Sequence, residues 1–162
     1  MVETLCKPLL DMTAADVMSQ SVVLVPQEMS LPAAGRLLSQ AQVSGAPVVD
    51  ATGRCIGVLS ATDFMNWAQH ERGGGLRSLE DSVCFPWQLL EAERLPQEAV
   101  SRHMTPDPVT AVPSTRLGIL AQMMLDAHIH RVIVVDKARR PIGIVSTTDV
   151  LAAVACAERA RK

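Results

Sequence analysis

The sequence predicts a mixed α/β (α+β) protein made of two tandem copies of one unit, each running helix, strand, helix, strand, strand, helix. The main observation is a repeat, because Gly57–Asp63 and Gly143–Asp149 both read Gly, two apolar residues, Ser, a small residue, Thr, Asp. The two aspartates lie 86 residues apart, and the same distance separates Asp50 from Asp136. Short β-branched runs also alternate with helical patterns in the same order in both halves. Such a repeat indicates one supersecondary unit used twice.

The composition predicts an aliphatic core and disfavours several classes of function. The chain has 162 residues, 48% of them hydrophobic, but only two Phe, two Trp and no Tyr. Few aromatic side chains and a net charge of −2 make nucleic acid an unfavourable partner. No apolar run reaches the roughly 18 residues that a membrane span requires. We therefore expect a cytoplasmic protein that does not bind membrane, and for which nucleic acid is a disfavoured partner.

The sequence also lacks the patterns of a metal site or of the common enzyme families. Its four cysteines show no C-x-x-C spacing, which favours reduced thiols over zinc or redox chemistry. His128 and His130 lie two residues apart without a third candidate ligand. No G-x-S-x-G, H-E-x-x-H or Walker-type loop is present. We expect no catalytic residues, no metal and no required cofactor.

A short helical turn opens each copy, and a strand follows it. Thr13 with Asp16 three residues later is a capping-box pattern, which places Thr13 at a helix N-terminus. The counterpart of this turn is 98–104. Strands are predicted at 22–25 and 108–112, each stopped by the next proline.

An amphipathic helix comes next in each copy. Ser30 is predicted to cap the first helix, with Pro32 in its first turn, where proline is tolerated. Apolar residues at helical spacing predict the faces turned toward the core. They are Leu31, Ala34, Leu37, Leu38 and Ala41 in the first copy, and Leu117, Leu120, Ala121, Met124, Leu125 and His128 in the second.

Two short strands and a final helix complete each copy. Apolar runs joined by Asp and turn residues predict hairpins, 46–50 with 55–59 and 132–136 with 141–145. The final helix is predicted to begin at each Ser-x-Thr-Asp. In the second copy it is expected to reach about Arg161, with four apolar residues packed inward: Val150, Leu151, Val154 and Ala155.

The predicted bounds are 13–70 for the first repeat and 98–159 for the second, with a linker or insert at 71–97. Gly73–Gly75 is typical of a flexible linker, and one or two helical turns are expected in Ser82–Leu90. Three short strands cannot bury both faces of a sheet. The two copies are therefore expected to pack about a pseudo-two-fold axis.

These residues resemble a CBS (cystathionine-β-synthase) domain pair, or Bateman module. The resemblance lies in the paired G-h-h-S-x-T-D segments, the run Ile129–Asp136 and the entry Met104–Pro106, and it covers roughly residues 13–159. It implies a disk-like αβ pair, commonly dimeric, whose clefts bind adenosine-containing ligands. Such modules usually regulate an effector protein, which this sequence does not identify. The candidate ligands are AMP, ADP and ATP.

The Ser-x-Thr-Asp segments fit two interpretations. Ser with Asp three residues later satisfies a helix N-terminus, so each segment is explained by capping alone. The same junction presents free N–H groups to an anion, and a carboxylate there can accept both hydroxyls of a ribose. The resemblance favours the second interpretation for at least one site. It implies the ligand-binding residues Asp149, Thr148, Ser146, His130, Arg131, Thr110, Asp63, Thr62 and Ser60.

The two halves differ where the resemblance implies contact with phosphate. The second half has His130 and Arg131 ahead of its middle strand, where the first has Ser44 and Gly45. A guanidinium suits phosphate, although a solvated basic pair at a strand start is an equal alternative. Two other functions remain open. One is a structural module with empty clefts, and the other is an S-adenosylmethionine module, which would not need Arg131.

A homodimer is the expected assembly. The segment 150–157, rich in Leu, Ala and Val, is too apolar to face solvent on all sides. The helices that follow Asp63 and Asp149 are expected to contribute to the subunit contact.

Overall fold

The computed structural model describes residues 7–71 and 95–159, and the chain divides into two compact units. The central unit is Val23–Pro108, and the terminal unit combines Met1–Val22 with Val109–Lys162. The predicted linker glycines Gly73–Gly75 and the helical turns predicted in Ser82–Leu90 lie outside the described residues.

Apart from one additional short strand at Thr105–Pro106, the helices and strands follow the predicted order, which confirms the mixed α/β fold with a tandem repeat. In chain order they are α1 Ala14–Val17, β1 Val25–Pro26, α2 Leu31–Gln40, β2 Gly45–Val49, β3 Cys55–Ser60, α3 Ala61–Glu71, β4 Thr105–Pro106, β5 Thr110–Ala111, α4 Leu117–Asp126, β6 Arg131–Val135, β7 Pro141–Ser146 and α5 Thr147–Arg159. Short 3-10 turns at Leu9–Asp11 and Val100–Arg102 precede α1 and β4.

The central unit contains a sheet in the order β1-β2-β3-β4. β1 runs parallel to β2, and the remaining neighbours are antiparallel. Along β3, buried and half-buried residues alternate, as expected for a strand with one face on a core. Phe64 of α3 is 1% exposed and packs among aliphatic side chains: Val25, Leu31, Ala34, Leu38, Ala46, Val48, Leu59, Leu95 and Val100.

The terminal unit contains a sheet in the order β5-β6-β7, with β5 parallel and β7 antiparallel to β6. Its buried core is aliphatic, as the composition predicts. The core residues are Met12, Ala14, Ala111, Leu117, Leu120, Met124, Val132, Val134, Val145 and Ala153.

The opening segment of each sequence copy packs on the sheet of the other copy. In the central unit, β4 pairs with β3, and the Leu31 N–H donates to the Glu98 carbonyl at 2.8 Å. In the terminal unit, Ser19 exchanges two backbone hydrogen bonds of 2.9 and 3.0 Å with Ile144. Ser19 and Thr105 occupy equivalent positions in the repeat. Each unit therefore combines the sheet of one sequence copy with the opening segment of the other copy.

The predicted capping box at α1 is confirmed. The Thr13 N–H and hydroxyl each donate to an Asp16 carboxylate oxygen at 2.8 Å. The Lys7 ammonium lies 2.6 Å from the other oxygen of Asp16. Its hydrogen bond, followed by those from Thr13, lowers the pKa of Asp16 to about 2. Ser30 lies at the N-cap position of α2 as predicted, but its side chain makes no capping hydrogen bond.

Two predicted strands are shorter than expected, and Pro26 belongs to β1 instead of ending it. β1 is an edge strand of its sheet, and an edge tolerates a residue without an N–H donor. Thr110 and Ala111 alone form β5.

For three helices, the sequence predicted inward-facing residues that the structure places in solvent. α2 ends at Gln40, so Ala41 is exposed, and α4 ends at Asp126, followed by His128 with a φ of 52°. A left-handed residue terminates a helix, so the apolar stripe stops before His128, and Leu125 is 69% exposed. In α5 the buried residue is Ala153 and Val150 is half-buried. The other three residues predicted to pack inward are exposed: Leu151, Val154 and Ala155.

Gly57→Ala should destabilise the central unit by about 1–3 kcal/mol because the added methyl group would overpack the β3–β4 contact. A Cβ at Gly57 would lie 2.5 Å from the Met104 sulfur and 2.9 Å from the Thr105 carbonyl oxygen. The methionine can rotate away, but the carbonyl can move only with β4. Urea unfolding with linear extrapolation measures the change.

Gly118→Ala is the matched control for this substitution. Gly118 lies within α4, and a Cβ there would meet no atom within 4 Å. Alanine is the better helix former, so this variant should gain about 0.5–1 kcal/mol. Equal stability of Gly57→Ala and the wild type would contradict the close contact between β3 and β4.

Candidate ligand-binding site

The candidate site is built at two equivalent junctions between a strand and a helix. In the central unit β3 ends at Ser60 and α3 begins at Ala61. The Ser60 N–H and hydroxyl donate to Asp63 Oδ2 at 2.7 and 2.8 Å. The predicted helix start is confirmed, and the carboxylate is held at the first turn of α3.

The junction between β7 and α5 in the terminal unit has the same geometry. The Ser146 N–H and hydroxyl donate to Asp149 Oδ2 at 2.7 and 2.6 Å. The Asp149 N–H lies 3.3 Å from the Ser146 hydroxyl oxygen, which accepts from it. Both aspartates are half-buried, while Thr62 and Thr148 are exposed one residue before them.

The two carboxylates differ in their remaining oxygen. In the central unit the Thr105 hydroxyl donates to Asp63 Oδ1 at 2.9 Å. In the described part of the terminal unit, no side chain donates a hydrogen bond to Asp149 Oδ1. A carboxylate has about four acceptor positions, so Asp149 keeps about two open and Asp63 about one.

The basic pair predicted to contact phosphate lies beside the terminal-unit junction. Arg131 begins β6 and is the strand partner of Ser146, while the His130 carbonyl accepts from the Thr147 N–H at 3.0 Å. Both side chains are exposed. Arg131 forms no ion pair within the described ranges. In the central unit the equivalent positions, Ser44 and Gly45, supply no cation.

Thr110 is the first residue of β5. It is the strand partner of Ile133 and lines an open depression of about 630 Å³ in the terminal unit. The other lining residues are Ala111, Val112, Ser114, Thr115, Arg116, Ile119, Met123 and Val135. Ser146, Thr148 and Asp149 do not line it.

Three polar residues near Asp63 were missed by the sequence analysis. Arg102 and His103 line a depression of about 280 Å³ together with Asp63, and Thr105 bonds to that aspartate. The Glu98 carboxylate lies beside both residues, 2.9 Å from the His103 ring and 3.8 Å from the Arg102 guanidinium. The repeat does not indicate Arg102 and His103, because Asp16 and Val17 occupy the equivalent positions in the first copy.

A family model for the CBS domain matches residues 14–70 and 100–156. The chain belongs to the CBS domain family. This confirms the resemblance drawn from the paired Gly57–Asp63 and Gly143–Asp149 segments.

A curated relative from Arabidopsis thaliana, the chloroplastic CBS domain-containing protein CBSX2, is 31% identical over 153 residues. The match covers 87% of this chain and 63% of CBSX2, so the chain spans less than two thirds of that relative's length. The structure of CBSX2 in complex with AMP superposes with a TM-score of 0.70 at 26% identity, covering 91% of this chain and 98% of that one.

Two further solved CBS structures are similar in fold. The CBS domain of a membrane protein from Sphaerobacter thermophilus has a TM-score of 0.66 and 28% identity, covering 90% of this chain and 89% of that one. The CBS domain pair of MJ0100, solved with 5′-methylthioadenosine and S-adenosyl-L-methionine, has a TM-score of 0.67. Its identity is 19%, with 90% of this chain and 97% of that one covered, so it supports the fold alone.

Among the described residues, no helix has the length and apolar character needed to cross a bilayer. Across the same ranges, His, Cys, Asp and Glu side chains form no group of three or more that could hold a metal ion.

Proposed function

We propose that this CBS domain pair is a regulatory module that binds an adenine nucleotide, with AMP the first candidate among AMP, ADP and ATP. The observation that carries the proposal is the Asp149 carboxylate at a helix N-terminus. Among the described residues, its Oδ1 accepts no side-chain hydrogen bond, and Arg131 on the neighbouring strand forms no ion pair. The similarity to CBSX2, solved in complex with AMP, supports the same class of ligand.

The ribose would bind at the start of α5. Asp149 Oδ1 can accept both hydroxyls of a ribose without losing the two hydrogen bonds that Ser146 donates to Oδ2. Thr148 is exposed in the first turn and offers a further hydroxyl. The N–H groups of that turn have no partner within the helix, and they favour a negatively charged ligand.

The phosphate would bind Arg131, with His130 beside it. Arg131 is the strand partner of Ser146, so its backbone lies next to the residue that holds Asp149 in place. A guanidinium donates two parallel hydrogen bonds to a phosphate, and it stays charged at physiological pH. Ribose contacts would then come from the start of α5, directly after β7, and the phosphate contact from β6, the strand paired with β7.

Ligand binding would act on a separate effector protein by shifting the population of two conformations of this module. Such a shift requires the nucleotide to bind one conformation more tightly than the other. We propose a regulatory role without catalysis. We propose a cytoplasmic location, as expected from the sequence. The alternative is the chloroplast, where CBSX2 is located.

Thermal unfolding with AMP, ADP, ATP and S-adenosylmethionine tests the proposed function. A ligand present at about 100 times its Kd adds roughly 2.7 kcal/mol to the free energy of unfolding. Stabilisation by AMP, ADP or ATP supports the proposal. Stabilisation by S-adenosylmethionine alone would replace the nucleotide with that ligand. No shift with any of the four would favour the structural module with empty clefts.

A homodimer formed through α5 is part of the proposal. Leu151 and Val154 of α5 are 67% and 45% exposed, three residues apart on one face. Contact with a second copy would bury this apolar surface, and each Å² removed from water would stabilise the dimer by about 25 cal/mol. Leu151→Glu should therefore give a monomeric mass by light scattering at tens of micromolar, while the wild type remains dimeric.

The control for the assembly experiment is Leu24→Glu. Leu24 is 41% exposed in the central unit and lies outside every helix, so the same charge there should leave the dimer intact. A monomeric wild type at these concentrations would contradict the homodimer. Dissociation by both variants to the same extent would contradict the assignment to α5.

A further inference from the structure

We propose that the Thr105 hydroxyl is a built-in latch on the Asp63 carboxylate, which a ligand must displace before that carboxylate can hold both hydroxyls of a ribose. The proposal rests on the proposed function, because it concerns how the second copy of that site is regulated. It follows from the 2.9 Å hydrogen bond between Thr105 Oγ1 and Asp63 Oδ1.

The latch occupies an acceptor position that a ribose would need. The Ser60 N–H and hydroxyl already use Asp63 Oδ2, and Thr105 uses one of the two positions on Oδ1. A ribose presents two hydroxyl donors, but only about one acceptor position is left. In the terminal unit the same count leaves about two positions on Asp149. Before a ligand binds, Asp63 therefore has fewer open acceptor positions than Asp149, although the motifs around them are nearly identical.

A comparison of equivalent positions in the two units identifies Thr105 as the cause of the difference between Asp63 and Asp149. Thr105 lies opposite Val58 on the edge of its sheet, as Ser19 lies opposite Ile144 in the terminal unit. A β-branched threonine has a restricted χ1 angle, which keeps its hydroxyl aimed at one partner. The serine side chain rotates more freely. Within the described ranges, Ser19 forms no side-chain hydrogen bond to Asp149.

Displacing the latch would also change how β4 is anchored. This strand is only two residues long, and it is held to β3 by backbone pairing and to α3 by the bond from Thr105 to Asp63. A ribose that binds Asp63 through both hydroxyls and the side-chain anchoring of β4 are mutually exclusive. Binding would thus weaken the attachment of the segment that leads directly into Val109, the start of the second part of the terminal unit.

Calorimetric titration with AMP in an Asp149→Ala background tests the latch, because that background isolates the Asp63 site. Thr105→Val keeps the β-branched shape and removes the hydroxyl. The double variant Asp149→Ala, Thr105→Val should bind AMP about three- to tenfold more tightly than Asp149→Ala alone, as expected for release of one hydrogen bond. The matched control is Ser19→Ala in an Asp63→Ala background, where AMP affinity should not change.

Amide hydrogen exchange without ligand gives a second readout of the same bond. Thr105→Val should accelerate exchange at Met104 and Thr105 about threefold or more, since β4 loses its tie to α3. Unchanged or weaker AMP binding by the double variant, when the wild type binds AMP, would overturn the latch and leave the proposed function standing. Failure of the wild type to bind AMP, ADP or ATP would overturn the proposed function and the regulatory role of the latch together, whatever the exchange rates.

Discussion

Asp149→Ala is expected to weaken AMP binding at least tenfold, and Asp63→Ala only a few-fold. Each hydrogen bond from a ribose hydroxyl to an ionised carboxylate contributes about 1.5–3 kcal/mol, and 1.4 kcal/mol corresponds to tenfold in affinity. Asp149 has room for two such bonds and lies next to the strand that carries Arg131. Asp63 starts with one of these positions occupied by Thr105 and has no cation at Ser44 or Gly45.

The two substitutions control for each other. Each removes a carboxylate that accepts from the serine at its own helix start, at nearly equal distances in the two units. Loss of the cap should cost both variants about 0.5–2 kcal/mol of stability, which thermal unfolding without ligand would show. Calorimetry with AMP then separates binding from folding. Equal losses of affinity, or a larger loss for Asp63→Ala, would contradict the proposed difference between the sites.

Arg131→Ala is expected to reduce AMP affinity about tenfold or more while leaving adenosine binding almost unchanged. Arg131 is the residue assigned mainly to phosphate, since the Ser, Thr and Asp groups also hold ribose or cap helices. A charge-assisted hydrogen bond of about 1.5–3 kcal/mol corresponds to that loss. The variant should also show a flatter dependence of AMP affinity on salt, because a screened charge contact has been removed.

Arg139→Ala is the control for Arg131→Ala. It removes the same charge from the same unit, but from the exposed turn between β6 and β7, away from the junction at Ser146. AMP binding should be nearly unaffected. Both ligands would be titrated into each protein at two salt concentrations. If Arg131→Ala weakens adenosine and AMP equally, the guanidinium supports the fold and does not bind phosphate.

The sequence predicted most of the fold because the repeat fixes the positions of equivalent elements. When Asp63 is aligned with Asp149, the same offset of 86 residues aligns the two hairpins and the two helix starts. It also predicted a serine and an aspartate together at each junction, since three residues are the span of a capping box. The position of Arg131 beside Ser146 follows from hairpin pairing, which matches the first residue of β6 with the last residue of β7.

The contacts that distinguish the two sites could not be predicted in this way. The bond from Thr105 to Asp63 joins residues 42 apart in sequence and exists because β4 pairs with the sheet of the other copy. Arg102 and His103 come to Asp63 by the same exchange. The phase of α5 was predicted wrongly because its apolar residues surround much of the helix, so spacing alone does not show that Ala153 is the buried one.

The most direct test of the central claim is a titration of the ¹⁵N-labelled wild-type protein with AMP, followed by amide chemical shifts. The proposed function predicts saturable shifts centred on Ser146–Asp149 and on His130 and Arg131, with smaller shifts or a weaker apparent Kd around Asp63. Absence of saturable shifts with AMP, and with ADP and ATP titrated in the same way, would contradict nucleotide binding. Saturable shifts confined to residues far from both junctions would contradict the site.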